Sequence, residues 1–269
     1  MFRRHPAWFI TVLSLVVLLP AAGTRAQDAS PSAGPPARDL ALLKGLGLPE
    51  IAIVATDADV TGVPTELAAG RHLVTVENRT ADLLVGGGVL AVPAGTTDED
   101  ARQGILGEGL PAWFYEATWA GGPIAGAGQT DAAVVEFAAG DVAGAVPVDL
   151  TEYAFAFPAT LPAGPQIWQL TNTATQPHLL DLAGVPVGTT FGQLMEFLGF
   201  VFTGTPAASA LGFDRIRDLY ATPNLSPGQT TWVEIDLAPG TYAVACFVPD
   251  RASQAPHALM GMVQVFTVA

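Results

Sequence analysis

The amino-acid sequence predicts an all-β protein built from two tandem β-sandwiches with short helical insertions. The chain repeats itself: residues 128–147 and 228–247 lie 100 positions apart and are identical at seven of twenty positions. Val233, Ile235 and Leu237 alternate with residues of the opposite face, which is the period-two pattern of a half-buried strand. Many short strands separated by glycine and proline turns are typical of an antiparallel sandwich.

The repeat also extends upstream and sets the predicted domain boundaries. Asn78 precedes the sequence VPAGTT, and Asn172 precedes VPVGTT with nearly the same spacing. Further strands are expected over residues 73–76 and 167–170, each opened by a glycine or proline turn. A first domain over residues 45–146 and a second over residues 147–269 follow from this repeat.

Each copy carries a helical insertion ahead of its repeated strand. In the second copy Phe191, Leu194, Leu198 and Phe202 recur at helical spacing behind Thr190, a residue that favours the first position of a helix. A second short helix is expected over residues 208–220. Residues 97–107 form the corresponding helical segment of the first copy. These insertions are expected to cover a sheet edge or one end of the core.

The N-terminus has the pattern of an export signal. Arg3 and Arg4 precede an apolar run, and residues 24–26 offer small side chains at the usual cleavage positions. The run is shorter than the ~20 residues that span a bilayer. We therefore predict a signal peptide over residues 1–26 and a periplasmic or extracellular protein, with an uncleaved N-terminal membrane tether as the alternative. Residues 27–44 begin with a stretch rich in proline, serine and alanine, and are predicted to be a flexible linker.

Charge and composition exclude several classes of partner. Without residues 1–26 the chain has 8 Lys and Arg against 25 Asp and Glu, a formal charge of −17. This acidity argues against nucleic acids and anionic membrane surfaces, and it permits a basic protein partner. Half of the residues are apolar, which is enough for a substantial core.

Cys246 is the only cysteine of the chain. An internal disulfide is therefore excluded, and a single thiol in an oxidising compartment has to be protected from oxidation. Burial as a small apolar side chain is one form of protection, and ligation of a metal is another.

Two histidines and two methionines accompany this cysteine. His178 follows a predicted strand, and His257 lies eleven residues after Cys246 in a segment that continues to Met260 and Met262. A thiolate and two imidazoles form a trigonal set that suits copper, with a thioether as a weak axial ligand. Each of these residues alone is more often structural, and so is His72, which sits at a predicted turn.

Residues 147–269 resemble the cupredoxins, the family of plastocyanin-like and azurin-like blue copper proteins. The resemblance rests on Pro177-His178 after an Asn-bearing strand, on the G-T-Y-x-x-x-C motif that ends at Cys246, and on Pro256-His257-x4-Met262. It implies a cupredoxin-like Greek-key sandwich with one type 1 copper, and ligands His178, Cys246, His257 and axial Met262. Met260 is a competing axial candidate.

The resemblance implies an exported one-electron carrier with a redox partner protein, possibly a basic one. Electrons would enter near the solvent edge of His257, through an apolar patch that includes Pro256, Ala258 and Leu259. No enzymatic activity and no substrate are predicted, because Ala245 stands where copper enzymes with two coupled metals have a histidine. The alternative is a metal-free cupredoxin-like structural or binding module. The first copy, with Val146 at the position of Cys246, is predicted to be a degenerate cupredoxin-like domain without metal ligands.

Overall fold

The computed structural model describes residues 12–20, 39–64, 70–81, 83–106, 110–136, 143–206 and 211–269. Strands dominate these ranges, and the helices are short. The strands are β1 Val12–Pro20, β2 Glu50–Ala55, β3 Val60–Thr61, β4 Arg71–Asn78, β5 Leu83–Ala91, β6 Thr118–Gly121, β7 Ile124–Ala125, β8 Thr130–Glu136, β9 Val146–Thr151, β10 Ala154–Ala156, β11 Thr160–Leu161, β12 Gly164–Asn172, β13 Asp181–Val185, β14 Arg217–Ala221, β15 Thr230–Leu237, β16 Gly240–Ala245 and β17 Val263–Val268. The helices are α1 Ala41–Lys44, α2 Asp98–Leu106 and α3 Phe191–Thr203, with short 3-10 turns at Phe213–Arg215 and His257–Met260.

One eight-stranded sheet runs through both copies of the repeat. Its strand order is β10-β9-β12-β15-β8-β4-β2-β3. From either end of the sheet, equivalent strands of the two copies follow in the same order. Strand β9 pairs parallel with β12, and in the same way its counterpart β2 pairs parallel with β4. The two copies thus place equivalent strands at equivalent positions.

A local two-fold relation lies at the centre of this sheet. Strands β8 and β15, which come from the two repeated segments, pair with each other antiparallel. Within that pairing Val233 lies opposite Ala133, its own counterpart 100 residues earlier. A local two-fold rotation therefore relates the two copies of the sequence repeat in this sheet.

The second sheet of the second copy is complete. Five strands form it, in the order β11-β17-β16-β13-β14. The chain changes sheets between β12 and β13 and again between β14 and β15, which gives the Greek-key connections of a sandwich. The predicted all-β class with short helical insertions is confirmed.

The first copy has a smaller second sheet. It consists of β5 and β6, with β7 also paired to β5, and β1 on the remaining edge of β5. Strand β1 pairs antiparallel with β5 over nine residues, from Val12 opposite Ala91 to Pro20 opposite Leu83. This strand lies inside the predicted signal peptide, so a cleaved chain would not contain it.

The helical insertions are largely as predicted. Helix α3 begins behind Thr190, whose hydroxyl accepts a hydrogen bond from the Gln193 amide while the Gln193 side chain accepts one from the Thr190 amide. This capping box satisfies two backbone donors that the helix cannot pair itself. The second helix expected over residues 208–220 is wrong in its described part: residues 213–215 form one 3-10 turn and residues 217–221 form β14, whose backbone pairs with β13.

The main core crosses the boundary between the copies. Trp168, Leu182 and Phe266 of the second copy are buried in one cluster with Phe114 and Trp119 of the first. On the outer face of the shared sheet, α1 buries Leu40 and Leu43 against Trp232. Of the predicted linker 27–44, residues 27–38 lie outside the described residues, whereas Leu40 and Leu43 are packed in this way. Among the described residues, no helix is both long and apolar enough to span a membrane.

Candidate metal centre

Cys246 is delivered by strand β16. This strand pairs with β13 on one side and β17 on the other, and Cys246 follows its last residue. The Cys246 amide donates to the Met262 carbonyl at 3.1 Å, and the Cys246 carbonyl accepts from the Ala258 amide at 2.7 Å. The thiol is thus fixed to the turn that carries His257.

His257 opens a 3-10 turn that ends at Gly261. The His257 amide donates to the Val248 carbonyl at 2.9 Å, and the His257 carbonyl accepts from the Met262 amide at 3.0 Å. Gly261 has a φ of 106°, a value that favours glycine, and this conformation turns the chain back into β17. His257 and Met262 are therefore held by one closed backbone turn.

His178 lies in the loop after β12. Its amide and carbonyl exchange two hydrogen bonds with Leu225, at 3.0 and 2.7 Å. Asn172, at the end of β12, is fully buried and its side-chain amide donates to the carbonyls of Gln176 and Leu225 at 2.8 and 2.6 Å. The position of His178 therefore depends on the Leu225 segment as well as on its own loop.

The side chains of His178, Cys246 and His257 converge in the interior. The Cys246 Sγ lies 3.6 Å from the Nδ1 atom of each histidine, and the two Nδ1 atoms are 2.9 Å apart. All three residues are fully buried. Among the described residues, the Nε2 atoms of both histidines are buried without a hydrogen-bond partner. Three donor atoms with this spacing can bind one metal ion.

The electrostatics of the pocket favour neutral groups when no cation is bound. Burial lowers the pKa of His178 to about 4, with the neighbouring His257 adding to the effect, and burial also lowers the pKa of His257. Burial raises the pKa of the Cys246 thiol to about 11, against the opposing effect of amide donors such as Leu179, whose N–H lies 3.4 Å from Sγ. A thiolate here needs a positive charge beside it.

A polar cover closes the pocket above His257. The Tyr153 ring meets the His257 ring edge-on, with centroids 5.3 Å apart, and its hydroxyl donates to the Asp250 carboxylate at 2.9 Å. Asp250 is buried and also accepts from Gln176 Nε2 and from the amide and hydroxyl of Ser253. These donors hold the pKa of Asp250 well below its usual range. The long segment between Cys246 and His257 thus forms an ordered lid.

The lid determines which residues around the site are exposed to solvent. The sequence predicts that the edge of His257 faces solvent beside Pro256, Ala258 and Leu259. In the structure His257 and Ala258 are both fully buried, while Pro256 and Leu259 are partly exposed. The predicted solvent edge of His257 is therefore wrong, because Tyr153 and the Asp250 loop occupy the space in front of it.

The two methionines and the remaining histidine differ in their surroundings. Met262 is fully buried in the same core cluster as Cys246. Met260 is 40% exposed, and its sulfur lies 3.9 Å from the Ser253 hydroxyl oxygen. His72 lies in β4 of the first copy, away from the three converging side chains. Val146, which matches Cys246 in the repeat, opens β9 and pairs with Trp168.

Sequence reasoning did not identify the residues of the lid. Asp250 with Ser253 three positions later has the pattern of a side-chain-stabilised turn, so this part could have been recognised. Tyr153 and Gln176 carry no such signal, because they reach the lid from other loops. The contact of Tyr115, whose hydroxyl donates to the Pro249 carbonyl at 2.9 Å, comes from the first copy and could not be anticipated.

Comparisons with known proteins give matches of structure and none of sequence family. No family model matches the chain, and no curated protein matches it. Solved structures to which it is similar include the reduced auracyanin of the photosynthetic bacterium Roseiflexus castenholzii, with 26% identity, a TM-score of 0.31, and coverage of 48% of this chain and 99% of that one. Auracyanin A, a "blue" copper protein of Chloroflexus aurantiacus, is 22% identical with a TM-score of 0.29, covering 46% and 99%.

A larger copper protein matches more of the chain. The multi-copper oxidase of Pediococcus acidilactici is 9% identical with a TM-score of 0.27, and the match covers 83% of this chain and 59% of that one. The auracyanin matches thus span about half of this chain, and the oxidase match spans most of it. The fold of the chain is all-β, with a buried group of two histidines and one cysteine.

Proposed function

We propose that this protein is an exported one-electron carrier that uses a single type 1 copper held by His178, Cys246 and His257. The observation that carries the proposal is the convergence of two imidazole Nδ1 atoms and one thiol sulfur in a buried pocket, at 2.9 and 3.6 Å from one another. Two nitrogens and one sulfur in a trigonal set are the donors of blue copper sites.

The residues present fit a copper ion. First-row metals such as zinc bind imidazole nitrogen and thiolate sulfur at about 2.0–2.3 Å, so a single ion can reach all three donor atoms. Both Nδ1 atoms point to the same place as the sulfur, and the lowered pKa values of the histidines keep both imidazoles neutral at neutral pH, so that each ring has a nitrogen lone pair available for a metal. The raised pKa of Cys246 keeps its thiol protonated in the metal-free protein, and binding of a metal cation would displace that proton.

The role of the protein in this proposal is to hold the ligands still. When bound, copper would supply a centre that alternates between Cu(I) and Cu(II). The backbone bonds that link Cys246, Ala258 and Met262 fix the relative positions of the ligands. Burial of the site excludes water, and the Leu179 amide donates to the sulfur at 3.4 Å. A rigid and dry ligand set changes little between the two oxidation states, which favours rapid electron transfer.

Met262 is the proposed axial ligand. It is fully buried and shares a core cluster with Cys246, whereas Met260 is 40% exposed and already in contact with the Ser253 hydroxyl. A thioether in this place is the weak fourth donor of blue copper sites. Replacing Met262 by Leu should shift the reduction potential, and the matched change Met260→Leu should leave it unchanged.

An electron carrier accounts for the site better than a copper enzyme does. Outside residues 1–26 the chain has three histidines, of which two belong to the proposed site and His72 lies in the first copy. A second copper coupled to the first would need further histidines. The formal charge of −17 after removal of residues 1–26 favours a basic redox partner, met in the periplasm or outside the cell.

The test is an absorption and EPR spectrum of the protein after addition of Cu(II), with Cys246→Ala as the comparison. An intense thiolate-to-copper band with narrow copper hyperfine splitting, absent from the variant, is the expected result. A colourless protein that takes up no stoichiometric copper would overturn the proposal. The chain would then be a metal-free cupredoxin-like module in which the two histidines share a hydrogen bond between their Nδ1 atoms.

A further inference from the structure

We propose that residues 113–121 of the first copy are a positioning element for the metal site of the second copy. This inference rests on the proposed copper site, and it assigns a role to the domain that carries no ligands. The segment reaches both loops that bear the histidines. It does so through two separate contacts, one at Tyr115 and the other at Ala117 and Trp119.

The first contact is made to the lid over His257. The Tyr115 hydroxyl donates to the Pro249 carbonyl at 2.9 Å, and the Arg251 guanidinium lies 5.6 Å from the centre of the Tyr115 ring. Pro249 and Arg251 flank Asp250, the residue that receives the Tyr153 hydroxyl. Because Tyr153 lies against the His257 ring, the contacts of Tyr115 with Pro249 and Arg251 hold the lid over that ring.

The second contact is made to the loop that holds His178. Ser226 is buried, and its hydroxyl accepts from the Trp119 amide at 2.9 Å and donates to the Ala117 carbonyl at 3.0 Å. The Ser226 amide donates in turn to the Trp119 carbonyl at 2.8 Å. Its neighbour Leu225 exchanges two backbone hydrogen bonds with His178. Three bonds from the first copy thus fix the segment on which His178 rests.

The positioning segment is itself anchored in the core. Phe114 and Trp119 are buried in the cluster that contains Cys246, and the Trp119 indole donates to the Phe114 carbonyl at 2.9 Å. A segment that is packed in this way cannot move without disturbing the second copy. It can therefore transmit the rigidity of the shared core to both histidine loops.

Two variants remove the contacts individually. Tyr115→Phe deletes the hydroxyl on Pro249, and Ser226→Ala deletes the hydroxyl between Ala117 and Trp119. Each is expected to release Cu(II) to excess EDTA roughly fivefold faster, the factor that corresponds to about one lost hydrogen bond. Each is also expected to change the copper hyperfine splitting in the EPR spectrum.

Matched controls lose the same kind of bond elsewhere. Tyr242→Phe removes a tyrosine hydroxyl from the Ala238 carbonyl, at the far end of β16. Thr75→Val removes a buried hydroxyl that donates to the Glu50 carboxylate at 2.8 Å, in strand β4 of the first copy. Both controls should release copper at a rate within about twofold of the wild type, since distant sites act independently.

A metal-free measurement separates this inference from the proposed function. In the apo-protein, modification of His178 and His257 by diethyl pyrocarbonate, followed by mass spectrometry, should be faster in Tyr115→Phe and Ser226→Ala than in the controls. If the wild type binds no copper but the histidines become more reactive, the proposed function fails and the positioning role stands. If both variants behave like Tyr242→Phe and Thr75→Val in both measurements, the positioning role is overturned.

Discussion

The two copies of the repeat contribute equivalent strands to the shared sheet and differ in their second sheets. Strands β8 and β15 come from the two repeated segments and pair with each other antiparallel across the local two-fold relation. After β15 the chain turns back and forms β16 and β17, which complete the second sheet and bring Cys246 to the histidines. After β8 the next described strand is β9, which begins at Val146 and belongs to the second copy of the repeat.

This difference shows what the metal site requires beyond its ligands. In the second copy β13 is flanked by β14 and β16, both from the same copy. In the first copy the corresponding edge of β5 is paired with β1, from the N-terminal segment. A copy that lacks the cysteine strand also lacks the turn that carries a histidine and a methionine, so fold completion and metal binding are lost together.

The largest expected effect comes from the two equivalent asparagines. Asn78 is buried and its amide donates to the Leu83 and Ala125 carbonyls, as Asn172 does to Gln176 and Leu225. Replacing either by Ala should lower the free energy of unfolding by about 3 kcal/mol, because each change removes a buried side chain that makes at least three hydrogen bonds. Urea unfolding measures this loss.

The two asparagine substitutions should differ in their effect on copper binding. Only Asn172→Ala should weaken copper binding, since Leu225 also holds His178. Asn78→Ala serves as the control, and its copper spectrum should match that of the wild type. Equal effects of the two changes on the spectrum would contradict the separation of the copies.

A second difference between the two copies is the acidic residue Asp181 in strand β13. Burial, with the nearby Asp218 carboxylate adding to it, raises the pKa of Asp181 to about 7. A raised pKa contributes stability that is complete below the unfolded value of about 3.8 and is lost as the pH rises through 7. Asp181→Asn should therefore gain about 2 kcal/mol over the wild type at pH 8, a figure reduced for partial exposure, and little at pH 4.

Strand β5 has no acidic residue, so this pH dependence belongs to the second copy. Thermal unfolding of the metal-free protein at several pH values measures it. Asp218→Asn removes only the smaller cause and should recover a fraction of the gain. A stability difference between Asp181→Asn and the wild type that is the same at pH 4 and pH 8 would show that the Asp181 pKa is not raised.

A third experiment compares the sheet edges. A chain that begins at Gln27 lacks β1, so the amides of β5 that face it lose their partners. Hydrogen exchange of these amides should become at least about tenfold faster, while exchange in β13 should not change. Equal protection of β5 in the two chains would mean that another segment replaces β1.

The smallest expected effect concerns the two helix caps. Thr190 caps α3 through Gln193, and Thr97 caps α2 through hydrogen bonds with Asp100. Each Thr→Ala change should cost about 1 kcal/mol in urea unfolding. Helix α3 packs Leu198 with Ala258 of the His257 turn, so Thr190→Ala should also speed copper release. Thr97→Ala is the control, and an equal change in copper release would break the comparison.

Much of this architecture could be predicted from sequence because its signals are local or repeated. Alternation in residues 233–237 indicated β15, Thr190 marked the start of α3, and the 100-residue repeat indicated two equivalent copies. The helix predicted over residues 208–220 is wrong. Their apolar spacing suits a helix, but β14 gains its backbone partners only from β13. Strand pairing of this kind depends on a distant segment, and the local hydrophobic periodicity of the sequence does not predict it.

The sequence by itself determined the chemical identity of the candidate site. One cysteine and two histidines in that order, in an acidic chain with an export-type N-terminus, restrict the choice to a thiolate and imidazole site or to a buried thiol. Only the tertiary structure brought Cys246, His178 and His257 together and covered His257 with Tyr153 and Asp250. The physical reason is that donor atoms 68 to 79 residues apart meet only when strand pairing and core burial fix their loops, and these depend on contacts that no local pattern encodes.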